Sequence, residues 1–365
     1  MKKLIATLLT VLLLFSLVGC FNKYEPVEST EREKTVAMTF TINGSKYEMP
    51  YEMYRAFFLN HKDKVTGGDD TLLTGEKKLE YIERIDEIII DLALDIFSTF
   101  ELCKTVGIDV YSADFGKKIN DYINESIESK ESYDAYLASL KALNLNYSMQ
   151  YTLFRYALAL DALEKHYIGA NSVEEIESGF WQGGALKYTD EDIRLFYDGE
   201  DCARILRLHL QGSAYVDPMA RANELKERIE EAKTEREVAN IMIGNSLTGG
   251  PELENGYLIG RYNLNALTYG PLINAAFSLE VGEVADPVVI HDGDEYVYYI
   301  VYRGEKSDEH FENNKDEVTY VYLWNELGKM LEGIEADLME SVVKSEFANA
   351  LEYDKISMDE ENDEA

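Results

Sequence analysis

Apolar residues recur every three or four positions through much of the chain, and that spacing predicts helices. The strongest stripe is Leu79, Ile82, Ile85, Ile89, Leu92, Ile96 and Phe100, which predicts a helix over residues 76–106, ended by Gly107. A shorter helix over 51–62 is broken by Gly67-Gly68. Residues 114–129, 132–143 and 148–166 continue the helical run, the last with Ser148 placed to cap it. Residues 189–197 open on Thr189 with three acidic residues, which suits the positive end of a helix dipole. Ahead of them all, Met38, Phe40 and Ile42 alternate into Asn43-Gly44, a pair suited to positive φ, and predict a hairpin over 36–47.

The texture changes at Cys202. Residues 203–211 are strand-like, 217–233 and 235–243 are helical, 244–256 form a glycine-rich loop, and 275–279 form a brief helix. Residues 295–302 are a run of Tyr, Val and Ile with strand character. The order β-α-α-loop-α-β predicts a compact α+β domain over 185–305, following a helical domain over 36–180. Residues 316–351 are helical again, with Val321, Trp324, Leu327, Leu331, Ile334, Leu338, Val342 and Phe347 along one side that must cover another surface. The acidic end, 358–365, is expected to be disordered.

The first twenty residues change the picture of where this protein works. Lys2 and Lys3 precede an apolar run over 4–18, and Leu17-Val18-Gly19-Cys20 ends it. A positive start, a greasy middle and a small-residue cut site make a signal peptide over 1–19, and the run is short of the roughly 20 residues that span a bilayer. Residues 20–35, with Pro26, Ser29, Thr30 and mixed charges, suit a solvated tether. The formal net charge is −34, from 69 acidic and 35 basic residues. Such a surface repels phosphate backbones, which argues against nucleic acid as a partner, and favours cationic clients or simple solubility. Cys103 and Cys202 allow one disulfide at most, and two buried thiols are the expectation.

Several of these residues carry a resemblance. Leu17-Val18-Gly19-Cys20 resembles the bacterial lipobox, which implies lipidation of Cys20 and a place on the outer face of the cytoplasmic membrane of a Gram-positive bacterium. Ile273-Asn274-Ala275-Ala276-Phe277-Ser278-Leu279-Glu280-Val281-Gly282-Glu283-Val284-Ala285-Asp286-Pro287-Val288 resembles the parvulin-type peptidyl-prolyl isomerase signature. Phe40-Thr41-Ile42-Asn43-Gly44-Ser45-Lys46-Tyr47 and the helices after it look like the chaperone region of extracytoplasmic foldases of the SurA and PrsA type. The resemblance implies an α+β fold: a helical chaperone domain completed by the C-terminal helix, with a parvulin-like domain inserted. It also implies the partners, unfolded or folding exported proteins, with the membrane reached through the lipid.

The departures from the parvulin pattern concern chemistry. The positions that usually carry a first-strand His, an Asp or Cys before the glycines, and a last-strand His hold Arg207, Thr248 and Tyr298. His209, two residues beyond Arg207 and on the same face of a strand, is the remaining catalytic candidate. Tyr262, Leu272 and Phe277 are the candidates for a proline slot, since isomerisation needs no cofactor, metal or nucleophile but only an apolar slot and groups that favour the twisted amide. Met49, Met53, Tyr54, Phe57 and Phe58, and the 26 tyrosines at large, could supply adaptable client contacts. The expected function is a chaperone with a divergent isomerase domain; an active isomerase with an altered site is the alternative. A transporter's solute-binding lipoprotein is a more distant one, disfavoured by the lack of alternating strands over 51–166. The five histidines show no paired ligand spacing, so a metal site is not expected.

Overall fold

The computed structural model describes residues 24–170, 172–178, 181–246, 255–262, 266–292 and 295–358. Residues 1–23, which hold the expected signal peptide and Cys20, together with Thr248 and the tail from 359 onward, lie outside the described residues. In chain order the first elements are α1 (Glu31–Lys34), β1 (Val36–Ile42), β2 (Ser45–Pro50), α2 (Tyr51–Thr66), α3 (Lys78–Thr105), α4 (Ala113–Glu128), α5 (Tyr133–Ala142) and α6 (Tyr147–Tyr167). Then come α7 (Val173–Glu177), α8 (Asp190–Asp198), β3 (Cys202–Gln211), α9 (Pro218–Glu230), α10 (Glu235–Ile243), β4 (Tyr257–Gly260), α11 (Ala266–Ser278), β5 (Val288–Asp292) and β6 (Glu295–Arg303). The chain closes with α12 (Asp308–Asn313), α13 (Lys315–Met339), β7 (Val343–Lys344) and α14 (Glu346–Asn349). The fold class is α+β, and the chain divides into two units: Met1–Leu163 with Leu331–Ala365, and Glu164–Met330. No helix among the described residues is long and apolar enough to cross a membrane.

In the first unit Asn43 and Gly44 take φ of 49° and 79°, turning β1 into β2 as the Asn-Gly pair demands. Gly67 ends α2 in the left-handed region, at φ 66°. The surface offered above to clients is core instead: Met49 of β2 and Met53, Tyr54, Phe57 and Phe58 of α2 are all buried. The cause is a covering layer contributed by the C-terminal segment, whose Phe347 and Tyr353 rings lie 5.3 Å and 5.8 Å from Tyr51 and Phe58.

That segment also corrects the helix expected over 316–351. The helix stops at Met339, and Val343–Lys344 then adds an edge strand to β1, pairing with Thr39 and Met38. Ser341 accepts a hydrogen bond from Thr41 N–H at 2.6 Å, Ser345 caps α14, and Lys344 reaches the carboxylate of Asp86. A free β1 edge with unmet backbone groups outcompetes one more helical turn through two successive valines.

The expected tether departs from its prediction in the same unit. Thr30 and Glu33 form a capping box at α1, Glu33 pairs with Arg55, and Ser29 hydrogen-bonds Glu52. Ser148, read as the cap of α6, instead donates to Glu52 at 2.7 Å, while Asn146 accepts from Met149 N–H at 2.8 Å and does the capping.

The second unit is built on a four-stranded antiparallel sheet in the order β4-β3-β6-β5. The expectation of two strands there missed β4 and β5, both short. Helices α9 and α10 cover one face through Leu206, Leu208, Leu210, Leu225, Met242 and Ile300. Helix α11 covers the other through Leu272 and Ala276 against Ile205, Val297 and Val301. It starts at Ala266, well before the predicted 275, because Pro271 lies within it and suppressed the helical reading. The first part of α13 is used inside this unit, with Val318 and Val321 among Ile193, Phe196, Tyr197 and Phe311. Cys103 and Cys202 are free and buried, and burial pushes each thiol up to about 12, so neither is a reactive thiolate.

Candidate functional site

The strand register decides which candidates can act together. In β3 and β6, Arg207 lies opposite Val301, His209 opposite Tyr299, and Leu210 opposite Tyr298. Side chains alternate across a sheet, so Arg207, His209 and Tyr299 share the α11 face and Tyr298 points to the other. Tyr298 packs there against the cluster under α9 and α10. It is therefore separated by the sheet from the two β3 candidates, whereas Tyr299, one residue on, lies on their face.

On the α11 face the half-buried guanidinium of Arg207 sits 4.3 Å over the ring of Tyr257 and 5.6 Å from that of Tyr299. Among the described residues its charge meets these two rings and no carboxylate lies within ion-pair distance. The His209 ring lies 5.2 Å from Tyr299, tilted by 32°. The residues brought together are thus Arg207, His209, Tyr257 and Tyr299. Period-two alternation along β6 was the signal for Tyr299; Tyr257 needed β4, which is too short to announce itself.

Of the three slot candidates, Leu272 and Phe277 share one apolar cluster, and Tyr262 docks elsewhere. Leu272 is buried in the core between α11 and the sheet. Phe277 packs at the edge of that core, with the guanidinium of Arg261 at 4.5 Å and that of Arg303 at 5.4 Å from its ring. Burial, with the charge of Arg261 adding to it, holds Arg303 below its ordinary pKa, while Arg261 has Asp201 at 3.3 Å. Tyr262 docks on α13, its N–H donating to Asn325 Oδ1 at 3.1 Å and its ring lying 5.5 Å from the Lys329 ammonium.

The opposite face carries a buried polar tie. Arg204 pairs with Glu235 at 2.6 Å and donates to the carbonyls of Asn255 and Glu305 at 2.7 and 3.1 Å. It fixes the ends of β4 and β6 to α10 at the border of a cavity of ≈ 580 Å³ lined by Ile229, Glu235, Gly282, Val284 and Tyr302. Among the described residues, none of the catalytic or slot candidates lines that cavity. Among the described residues no group of three or more His, Cys, Asp or Glu is arranged to hold a metal ion.

No family model and no curated protein matches the sequence. Solved structures do resemble the chain. The foldase protein PrsA from Streptococcus pneumoniae is 15% identical over 85% of this chain and 96% of that one, at a TM-score of 0.30. PrsA from Bacillus subtilis is 16% identical over 72% and 87%, at 0.25. The peptidylprolyl isomerase PrsA from Bacillus anthracis is 16% identical over 68% and 96%, at 0.23. Likenesses of this depth assign no residue role.

Proposed function

We propose that this chain is a lipid-anchored extracytoplasmic chaperone of the foldase type, whose inserted α+β unit has kept the parvulin-like framework and lost most of its isomerase chemistry. The observation that carries this reading is the Arg207 stack. Where the parvulin pattern puts a polar constellation, a guanidinium lies against Tyr257 and Tyr299, and Tyr298 belongs to the other face. A guanidinium donates hydrogen bonds and accepts none, so it cannot stand in for an imidazole that does both.

A holdase needs only exposed apolar area with adaptable contacts. Val216, Met219 and Tyr296 are exposed around the end of the sheet where β3 finishes and β6 begins. These residues, rather than the buried α2 face, are the client contacts in this reading. The signal peptide, the lipid on Cys20 and exported clients as partners belong to the same proposal and rest on the lipobox resemblance.

The test combines two assays on the mature protein. Isomerisation of a proline tetrapeptide is expected to be scarcely faster than the uncatalysed reaction and unchanged by Arg207→Ala or His209→Ala. Aggregation of an unfolded client is expected to be suppressed, and Val216→Asp with Tyr296→Asp to weaken that suppression. A large acceleration that disappears in Arg207→Ala or His209→Ala would instead establish the active-isomerase alternative.

A further inference from the structure

We propose that the end of the first unit formed by Tyr133 and the start of α5 stands directly against the membrane surface, held there by a leash only four residues long. The inference rests on lipidation of Cys20, and its partner is the headgroup layer of a lipid bilayer.

The argument starts from where the chain docks. Tyr24 stacks on Tyr133 with ring centroids 5.3 Å apart and planes 22° apart, and it packs against the apolar cluster of Ile119, Ile123, Tyr136 and Leu140. The Tyr133 hydroxyl donates to the carbonyl of Glu25 at 2.8 Å. Farther on, Ser29 bonds Glu52, the Thr30–Glu33 capping box forms, and Glu33 pairs with Arg55 while accepting from Asn146 at 3.3 Å. Burial works against this carboxylate, but its backbone and guanidinium partners outweigh that and hold its pKa below the ordinary value, which is the signature of an occupied site.

The chain is therefore tied down from Tyr24, and only the run from Cys20 to Tyr24 is left to span the gap to the lipid. A chain reaches at most about 3.3–3.6 Å per residue, so these four residues span about 14 Å, whereas a free tether to residue 35 would reach about 50 Å. The longer leash would let the unit turn freely above the bilayer; the shorter one brings the Tyr133 end to the headgroups. Val27, exposed beside the docked strand, adds apolar surface on the same stretch.

The experiment uses the full mature lipoprotein in phosphatidylcholine vesicles carrying a headgroup nitroxide. A fluorophore is placed by Glu131→Cys, an exposed position next to α5; the two native thiols of the mature chain beyond Cys20 are buried and stay unlabelled. Cys20→Ser is the control for anchoring and is expected to remain in the supernatant. The proposal expects strong quenching of the probe at 131 in the vesicle-bound protein, and loss of that quenching when Tyr24→Ser combined with Tyr133→Phe frees the docked segment as far as Ser29. Tyr24 is partly exposed, so this variant leaves the α4–α6 core in place. A vesicle-bound protein whose probe is not quenched, or is quenched equally in the Tyr24→Ser, Tyr133→Phe variant, overturns the orientation and leaves anchoring intact. A wild-type protein that fails to partition with the vesicles overturns the anchoring reading and this proposal together.

Discussion

Gly328→Ala is expected to destabilise the second unit, although alanine is the better helix former. In the middle of a helix, glycine is less favourable than alanine by about 1 kcal/mol, so the substitution should stabilise an unobstructed helix. Here a Cβ on residue 328 would sit 1.8 Å from the carbonyl oxygen of Tyr262 and 2.7 Å from its carbonyl carbon. The turn that carries Tyr262 is docked on this side of α13, with Asn325 accepting from its N–H. Gly260 also lies close to this helix, since a Cβ there would meet Asn325 Oδ1 at 2.9 Å. Neither backbone can give way locally, so the variant must shift the turn, and forced shifts of this kind cost about 1–3 kcal/mol or more. Urea unfolding should show the loss. Gly333→Ala in the same helix is the control: nothing lies within 4 Å of its Cβ position, and it is expected to gain about 1 kcal/mol. Equal behaviour of the two variants would refute the close approach.

The second large effect is a pH dependence in the first unit. Asp95 on α3 and Glu335 near the end of α13 share a hydrogen bond, and Ser98 donates to Glu335 at 3.1 Å. Burial, and then the charge of Glu335, push Asp95 up to about 8; burial likewise raises Glu335. The other groups that face the pair are Asp91 and Glu332, both acidic, and the Tyr156 phenol, which burial and this pair push well above its ordinary value. No cation relieves the contact among these groups.

An unfolded Asp releases its proton near pH 4, whereas the folded one keeps it to about 8. Between those limits the folded state binds the extra proton, so this group's contribution to stability is complete below pH 4 and is lost progressively as the pH rises toward about 8. Asp95→Asn, which keeps a hydrogen-bonding amide beside Glu335, is expected to be clearly more stable than the wild type at pH 8 and to lose that advantage toward pH 4. Comparing the two chains cancels the general repulsion of a surface at −34. An advantage that stays constant with pH would rule out the shared proton.

What was legible in the sequence was local. The stripe over residues 76–106 gave α3, the Asn43-Gly44 pair gave the hairpin, and Thr189 with its acidic turn gave α8. The site was legible only in residue types. Arg207 and His209 were correctly read as sharing a face, but Tyr298 was placed beside them because an alignment position carries no strand parity. A register difference of one residue moves a side chain to the other face of the sheet, and only the paired strand β6 fixed which tyrosine was meant. The slot candidates divided in a related way: Leu272 and Phe277 share the cluster between α11 and the sheet, whereas Tyr262 is held by Asn325 of α13.

By itself the sequence determined most of the helices, the change from a helical to an α+β region near residue 200, and the chemical types available to the site, because periodicity, capping and turn formation are decided within a few residues. It could not determine that the C-terminal segment leaves its helix at Met339 to complete the sheet of β1 and β2, that residues 24–35 dock instead of floating, or that the aromatic face of α2 is core. Those outcomes depend on contacts across tens to hundreds of residues, such as Lys344 with Asp86, Tyr24 with Tyr133 and Phe347 with Tyr51. A polar, Pro-containing stretch looks the same whether or not a partner waits for it, and only the tertiary structure supplied the partners.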